Sequence, residues 1–267
     1  MINWSEKKSY DCRDLVEIVR ILRHPGGCPW DQEQTHASIR RNLLEEAYEA
    51  AEAIDRDDLA GLREELGDVL LQVYFHASIE EDAGRFTLDD VADGVCKKLI
   101  YRHPHVFGEV NVRSTQEVLS NWEELKKKEK HQATRADELD AVARTLPALW
   151  RAEKVQKKAV RAGAPWGGWD AAMDKLAEEL GEVKAAAAGE GDLSEELGDR
   201  LFVTVCACAA AGVDPEQALH ANIDKDIARF RRVEELAAGQ GKTTDKLSRE
   251  EFMDLWTQAK AQLKQSH

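Results

Sequence analysis

Two short acidic runs, Leu44-Glu45-Glu46-Ala47-Tyr48-Glu49 and Glu65-Leu66-Gly67-Asp68, joined across the polar break Asp55-Arg56-Asp57-Asp58, decide the fold. Both runs have helical character, and a break this short makes the two helices antiparallel neighbours. Residues three apart share a helix face, so Glu46/Glu49 and Glu65/Asp68 are each a pair of carboxylates pointing the same way. Facing pairs place four hard oxygen ligands around one small volume. From Leu62 to Ile79 the second helix is apolar on nearly every side, and Glu65, Asp68, Gln72 and His76 fall on one narrow stripe. A helix of that kind is expected to be buried, with the stripe as a polar seam. Like charges at about 5 Å repel by roughly 3 kcal/mol at an effective dielectric near 20. Buried together, four carboxylates must take up protons or hold cations. An oxygen-only donor set suits magnesium or manganese better than zinc.

An acidic cluster on one helix is ordinarily a solvated face. Here the pattern is written twice. Glu178-Glu179-Leu180-Gly181-Glu182 repeats the first run at an offset of 133, and Glu196-Leu197-Gly198-Asp199 repeats the second at 131. Cys28-Pro29-Trp30 returns as Ala164-Pro165-Trp166, Lys98 and Arg102 return as Lys225 and Arg229, and Trp122 has a partner in Trp256. The chain is therefore read as all-α, a tandem repeat of two small helical-bundle modules over 1–130 and 131–267. Each copy keeps a glycine inside its second acid helix, Gly67 and Gly198, which costs about 1 kcal/mol against alanine and implies a close approach there.

The bulk numbers agree with two helical modules. The 267 residues are 43% hydrophobic and 33% charged with 6 prolines, a globular helical mix. A net charge of −14 argues against binding a nucleic-acid polymer through its phosphates. The five cysteines are scattered, without Cys-x-x-Cys, which fits a reducing cytoplasm rather than disulfides or zinc. The longest apolar run, 201–213, is too short to cross a membrane, so no membrane is expected as a partner. Periodicity and caps predict helices near 11–24, 37–54 and 59–81, another capped by Thr87 and stopped at Pro104, and one from about Thr115. In the second copy they fall near 146–162, 170–188, 192–211, 214–238 and 248–265. The polar stretch 126–140 is the expected connection, either as a linker or as a helix itself. Bundles this small often complete a core with a partner, so a homodimer is expected.

Lys225 and Arg229, four apart on one helix face, offer a point charge and a planar fork suited to polyphosphate oxygens, as do Lys98 and Arg102. Solvated basic residues would look the same singly; the shared offset favours a site. Lys175 stands one turn before the second acidic cluster, where the first copy has Asn42. Trp256 and Trp122 either stack on a base or fill a core face. His76 is either an outer partner of the acids or a packed histidine. Glu45 and Glu178, the spare carboxylates, are each a general base for water or a surface residue. Phosphate-loop and nucleophile-elbow motifs are missing, as are paired di-iron Glu-x-x-His motifs.

Leu44-Glu-Glu-Ala-Tyr-Glu49 with Glu65-Leu-Gly-Asp68, the Cys-Pro-Trp-Asp31 loop and Arg102-His-Pro-His-Val-Phe107 together resemble the MazG family of all-α nucleoside triphosphate pyrophosphohydrolases, over nearly the whole chain. The resemblance implies magnesium-dependent cleavage of a nucleoside triphosphate between its α and β phosphorus atoms, with manganese as a substitute, in nucleotide-pool housecleaning. It implies metal ligands at Glu46, Glu49, Glu65 and Asp68, and again at Glu179, Glu182, Glu196 and Asp199. It associates activity with the second module, and so favours Lys175, Lys225, Arg229 and Trp256 as nucleotide contacts. A narrower activity on deoxy, damaged or signalling nucleotides is one alternative; a non-enzymatic metal-binding scaffold is another.

Overall fold

The computed structural model describes residues 4–129 and 134–265, and among them every regular element is a helix. The chain divides into two compact units, Met1–Lys126 and Lys127–His267. The expected boundary at 130/131 lies outside the described residues.

In the first unit α1 (Cys12–Arg23), α2 (Pro29–Glu33), α3 (Arg40–Asp55), α4 (Leu59–Asp82), α5 (Leu88–Arg102) and α6 (Pro104–Phe107) precede α7 (Thr115–Glu129). The starts are written by side chains. Asp11 and Thr87 form capping boxes with Asp14 and Asp90, and Asp58 accepts from the amides of Ala60 and Gly61, each such cap being worth about 0.5–2 kcal/mol. Between α3 and α4 the chain reverses through Asp57, at φ 55°, a conformation that a short polar side chain tolerates. The reversal lays α3 against α4, with α1 packed on α4. Val19, Ile39 and Phe75 form the core, flanked by Leu15, Leu71, Tyr74 and Ile79.

The second unit holds α8 (Arg135–Asp140), α9 (Ala148–Arg161), α10 (Trp169–Ala187), α11 (Leu193–Ala210), α12 (Pro215–Gly239) and α13 (Arg249–Gln265), with a 3-10 turn at Thr244–Lys246. Asp192 and Asp214 cap α11 and α12, and Pro215 takes the first turn of α12, where its missing N–H costs nothing. Here α10 lies against α11, α9 lies on α11 and α12, and α12 pairs with α13. Val233, Ala237, Leu255 and Ala259 are the buried centre.

Two expectations are corrected. Helix α4 is not buried all round: Gln72 and Phe75 face inward, but Leu66 is 54% exposed, because α1, α3 and α5 cover only part of its circumference. The helix glycines make no close approach: a Cβ added at Gly67 or Gly198 would meet nothing within 4 Å, so their propensity cost is not offset by backbone packing.

Candidate metal and nucleotide site

The antiparallel pair α3/α4 turns its acids toward one another. One carboxylate oxygen each from Glu46, Glu49 and Glu65 lies within 4.8 Å of the others. Burial, then the charges of Asp68, Glu49, Glu65 and Glu45, push the Glu46 carboxyl above its ordinary value, and burial with Glu49 and Asp68 does the same to Glu65. Asp68 therefore acts in the same field, although the tight oxygen group is formed by the other three.

The pair α10/α11 repeats the arrangement with Glu179, Glu196 and Asp199, again within 4.8 Å. Glu196 is pushed up by burial and then by Glu182, Asp199 and Glu179. Glu179 is only 4% exposed and its Oε2 is buried without a hydrogen-bond partner. Converging carboxylates with an orphaned buried oxygen are short of positive charge, and their donors are hard oxygens, the set that a magnesium-like ion accepts. The residues fit a divalent cation. Lys175 brings a cation to this cluster: its Nζ lies 2.8 Å from both Glu178 Oε1 and Glu179 Oε1. Those bonds hold its ammonium above its ordinary value. In the first unit Arg41 pairs with Glu45 instead, 3.1 Å away.

Beside the second cluster opens a cavity of about 520 Å³. Lys175, Glu178, Glu179 and Asp199 line its acidic side with Asp174; Pro165, Trp166, Ala171, Ala172, Phe202, Val203 and Cys206 line the rest. Trp166 meets Phe202 edge-on with centroids 5.7 Å apart. The buried Gln156 of α9 donates to the Trp166 carbonyl at 3.3 Å, which ties the 164–168 loop to the bundle. Sequence reasoning missed this wall. The recurrence of Trp30 as Trp166 was its signal, whereas Phe202, Val203 and Cys206 read as ordinary core. At the offsets of the repeat, Ala172 corresponds to Ile39 and Cys206 to Phe75. Both first-unit residues are buried core side chains, so the first copy fills with methyls and a ring what the second leaves open.

The basic and aromatic candidates lie on later helices. The Arg229 guanidinium sits 6.0 Å above the Trp256 ring and 2.9 Å from Asp226, with Lys225 exposed on the same helix. Trp256 stacks on Phe252 and packs against the core of the second unit. In the first unit the buried Arg102 lies 5.4 Å over Trp122, and Lys98 is half-buried. Lys175 and Glu178 line the cavity; Lys225, Arg229 and Trp256 do not. Glu182 belongs to neither the tight oxygen group nor the cavity wall, and acts on Glu196 through its charge.

His76 joins a polar chain rather than the acids. Its Nδ1 is 2.7 Å from His36 Nδ1 with the rings stacked, His36 Nε2 meets Glu80, and Arg85 donates to Glu80 at 2.7 Å. Burial and the neighbouring His36 hold His76 below its ordinary value. Glu80 lies one turn beyond His76 on the stripe, the only sequence signal for this chain.

The model of the MazG nucleotide pyrophosphohydrolase domain matches residues 34–107 and 169–233, the segments that hold the two acid-bearing helix pairs. The chain is 40% identical over 253 residues to a nucleoside triphosphate pyrophosphohydrolase of Escherichia coli (strain K12), covering 93% of this chain and 96% of that one. It is 41% identical over 249 residues to the nucleoside triphosphate pyrophosphohydrolase/pyrophosphatase MazG of Thermotoga maritima, covering 92% and 94%. An uncharacterized protein YabN of Bacillus subtilis is 44% identical over 246 residues, which is 91% of this chain and 50% of that protein.

Proposed function

Because the chain belongs to the MazG nucleotide pyrophosphohydrolase family, we propose that it hydrolyses nucleoside triphosphates between the α and β phosphorus atoms. The products are a nucleoside monophosphate and pyrophosphate, in the service of nucleotide-pool housecleaning. The observation that carries this reading is the acid cluster of α10 and α11 opening directly into an aromatic-walled cavity, with Lys175 at the boundary. The modules are taken as 1–130 and 131–267, with a site in each.

Glu179, Glu182, Glu196 and Asp199 would hold magnesium, or manganese in its place, and Glu46, Glu49, Glu65 and Asp68 would do so in the first module. When bound, the ion neutralises triphosphate oxygens and acidifies water. The chain's own part is positioning. Lys175, Lys225 and Arg229 bind phosphate oxygens and offset the charge gathering on the departing pyrophosphate, as Lys98 and Arg102 would in the first module. Glu178, a cavity-lining carboxylate outside the oxygen group, accepts the proton of the attacking water, and Glu45 is its counterpart. Trp166 and Phe202 take the face of the base, with Trp256 as a further aromatic surface. Stacking on an aromatic face accepts any base, so the Trp166 and Phe202 wall supports a broad range of bases.

The test is release of pyrophosphate and monophosphate, without orthophosphate, from a panel of ribo-, deoxy- and damaged triphosphates with and without magnesium. Glu196→Gln combined with the matching Glu65→Gln is expected to reduce turnover at least about 100-fold, the scale of losing a charge-stabilising group, with the helical signal kept. No release from any triphosphate would favour a scaffold, and release from one class alone a specialised enzyme.

The assembly is proposed to be a homodimer. Val91, Val95 and Leu99 on α5, and Leu219, Ile223 and Ile227 on α12, form exposed apolar stripes at one shared offset, and a second copy of the chain covers them. The compartment is proposed to be the cytoplasm, supported by five free cysteines. Among the described residues no helix is long and apolar enough to cross a membrane.

A further inference from the structure

The second module carries a positive charge of its own against its acid cluster. Lys175 precedes Glu179 by one helical turn, so the contact is written into local geometry, and at 2.8 Å its ammonium bonds the Oε1 of a carboxylate that is only 4% exposed. The other oxygen of that carboxylate, Oε2, is buried and unpartnered. Glu179 is thus half satisfied: one oxygen is committed to lysine and the other has no partner, in a carboxylate that has an oxygen within 4.8 Å of those of Glu196 and Asp199. The Lys175 side chain is 43% exposed and lines the cavity, so its ammonium has open space to turn into on leaving Glu179. Asn42 at the matching position of the first module has no charge to offer Glu46.

We propose that Lys175 is a tethered counter-cation that occupies Glu179 until a triphosphate draws it away, so that divalent-ion binding and nucleotide binding promote one another in the second module. One ammonium cannot serve the buried carboxylate and the triphosphate equally well. With nothing bound, it neutralises Glu179 and opposes a second cation at the cluster. A triphosphate entering the cavity offers oxygens of higher charge, Lys175 turns to them, and both oxygens of Glu179 become available. Reciprocity is required by linkage: whatever the nucleotide adds to ion affinity, the ion adds to nucleotide affinity. Lys175 is therefore a positioning residue that acts through Glu179, in addition to touching phosphate. This inference rests on the assignment of Glu179 as a metal ligand.

The experiment measures manganese binding by electron paramagnetic resonance in the full chain, with the first cluster disabled by Glu49→Gln and Glu65→Gln. Lys175→Met keeps the apolar stem and removes the charge. Without nucleotide it is expected to tighten manganese binding about fivefold, the scale of one partly exposed ion pair. With an α,β-methylene triphosphate analogue, the tightening that nucleotide confers on the parent should shrink by a similar factor in the variant. If Lys175 merely holds Glu179 in place, the same substitution weakens manganese binding, and that result, or no change, overturns the proposal. Glu179→Gln is the control for the underlying assignment. If it leaves manganese binding intact, Glu179 is not a ligand and both readings fall. If it abolishes binding while Lys175→Met does not tighten it, only the counter-cation fails. Circular dichroism on each variant establishes that the helices are intact.

Discussion

Cys206→Phe places in the second module the side chain that its counterpart Phe75 already supplies in the first. Cys206 is 4% exposed and lies on the cavity wall near the Trp166/Phe202 corner. In a closed core an added ring costs about 1–3 kcal/mol in overpacking. Here it has a cavity of about 520 Å³ to enter, so the loss of stability should be small and the loss of room large. Stacking of a base on an aromatic side chain is worth about 1–3 kcal/mol. At about 1.4 kcal/mol per tenfold, losing that contact raises KM for a nucleoside triphosphate about 5- to 150-fold. No carboxylate is altered, so manganese binding should be unchanged. Inorganic tripolyphosphate, which has no base, should inhibit the parent and the variant alike. Steady-state kinetics with that competitor separates the base from the phosphates. A folded Cys206→Phe protein whose KM stays within about twofold of the parent would refute the placement of the base against this wall.

Two further outcomes follow from the same geometry. Arg85 and then His36 hold the Glu80 carboxyl at about 2, against an ordinary 4.5, so the folded chain binds fewer protons there than the unfolded one. The stability this adds is complete above the ordinary value and disappears as pH falls toward 2. Melting temperature should therefore decline less steeply over that acid window in Glu80→Gln than in the parent, and parallel declines would contradict the ion pair. Ile223→Asp puts a charge in the exposed stripe of α12; light scattering coupled to size exclusion should show the apparent mass falling from two chains toward one, and an unchanged mass would remove α12 from the dimer contact.

The helices were legible in the sequence because their determinants are local. Asp11, Thr87, Asp192 and Asp214 cap helices that begin beside them. The acids were legible for the same reason: a spacing of three on a helix leaves no choice of face. Exposure was not. Leu66 and Leu201 belong to helices whose composition calls for burial, yet they are 54% and 61% exposed, because burial depends on which neighbours arrive. The histidine chain was equally hidden, since His36 and Glu80 are 44 residues apart and meet only when the 34–39 turn folds back on α4.

From sequence alone came the number of modules, their helical character and the carboxylates that face one another, all fixed by periodicity, capping and an internal repeat within a few turns of chain. Tertiary structure decided that the second acid cluster lies beside an open aromatic cavity, and that Lys175 bonds Glu179 there. Ala172 and Cys206 are as consistent with a packed core as Ile39 and Phe75 are. Whether small side chains close up or leave a void depends on where the 164–168 loop holds Trp166, a distance between backbones that no local pattern encodes.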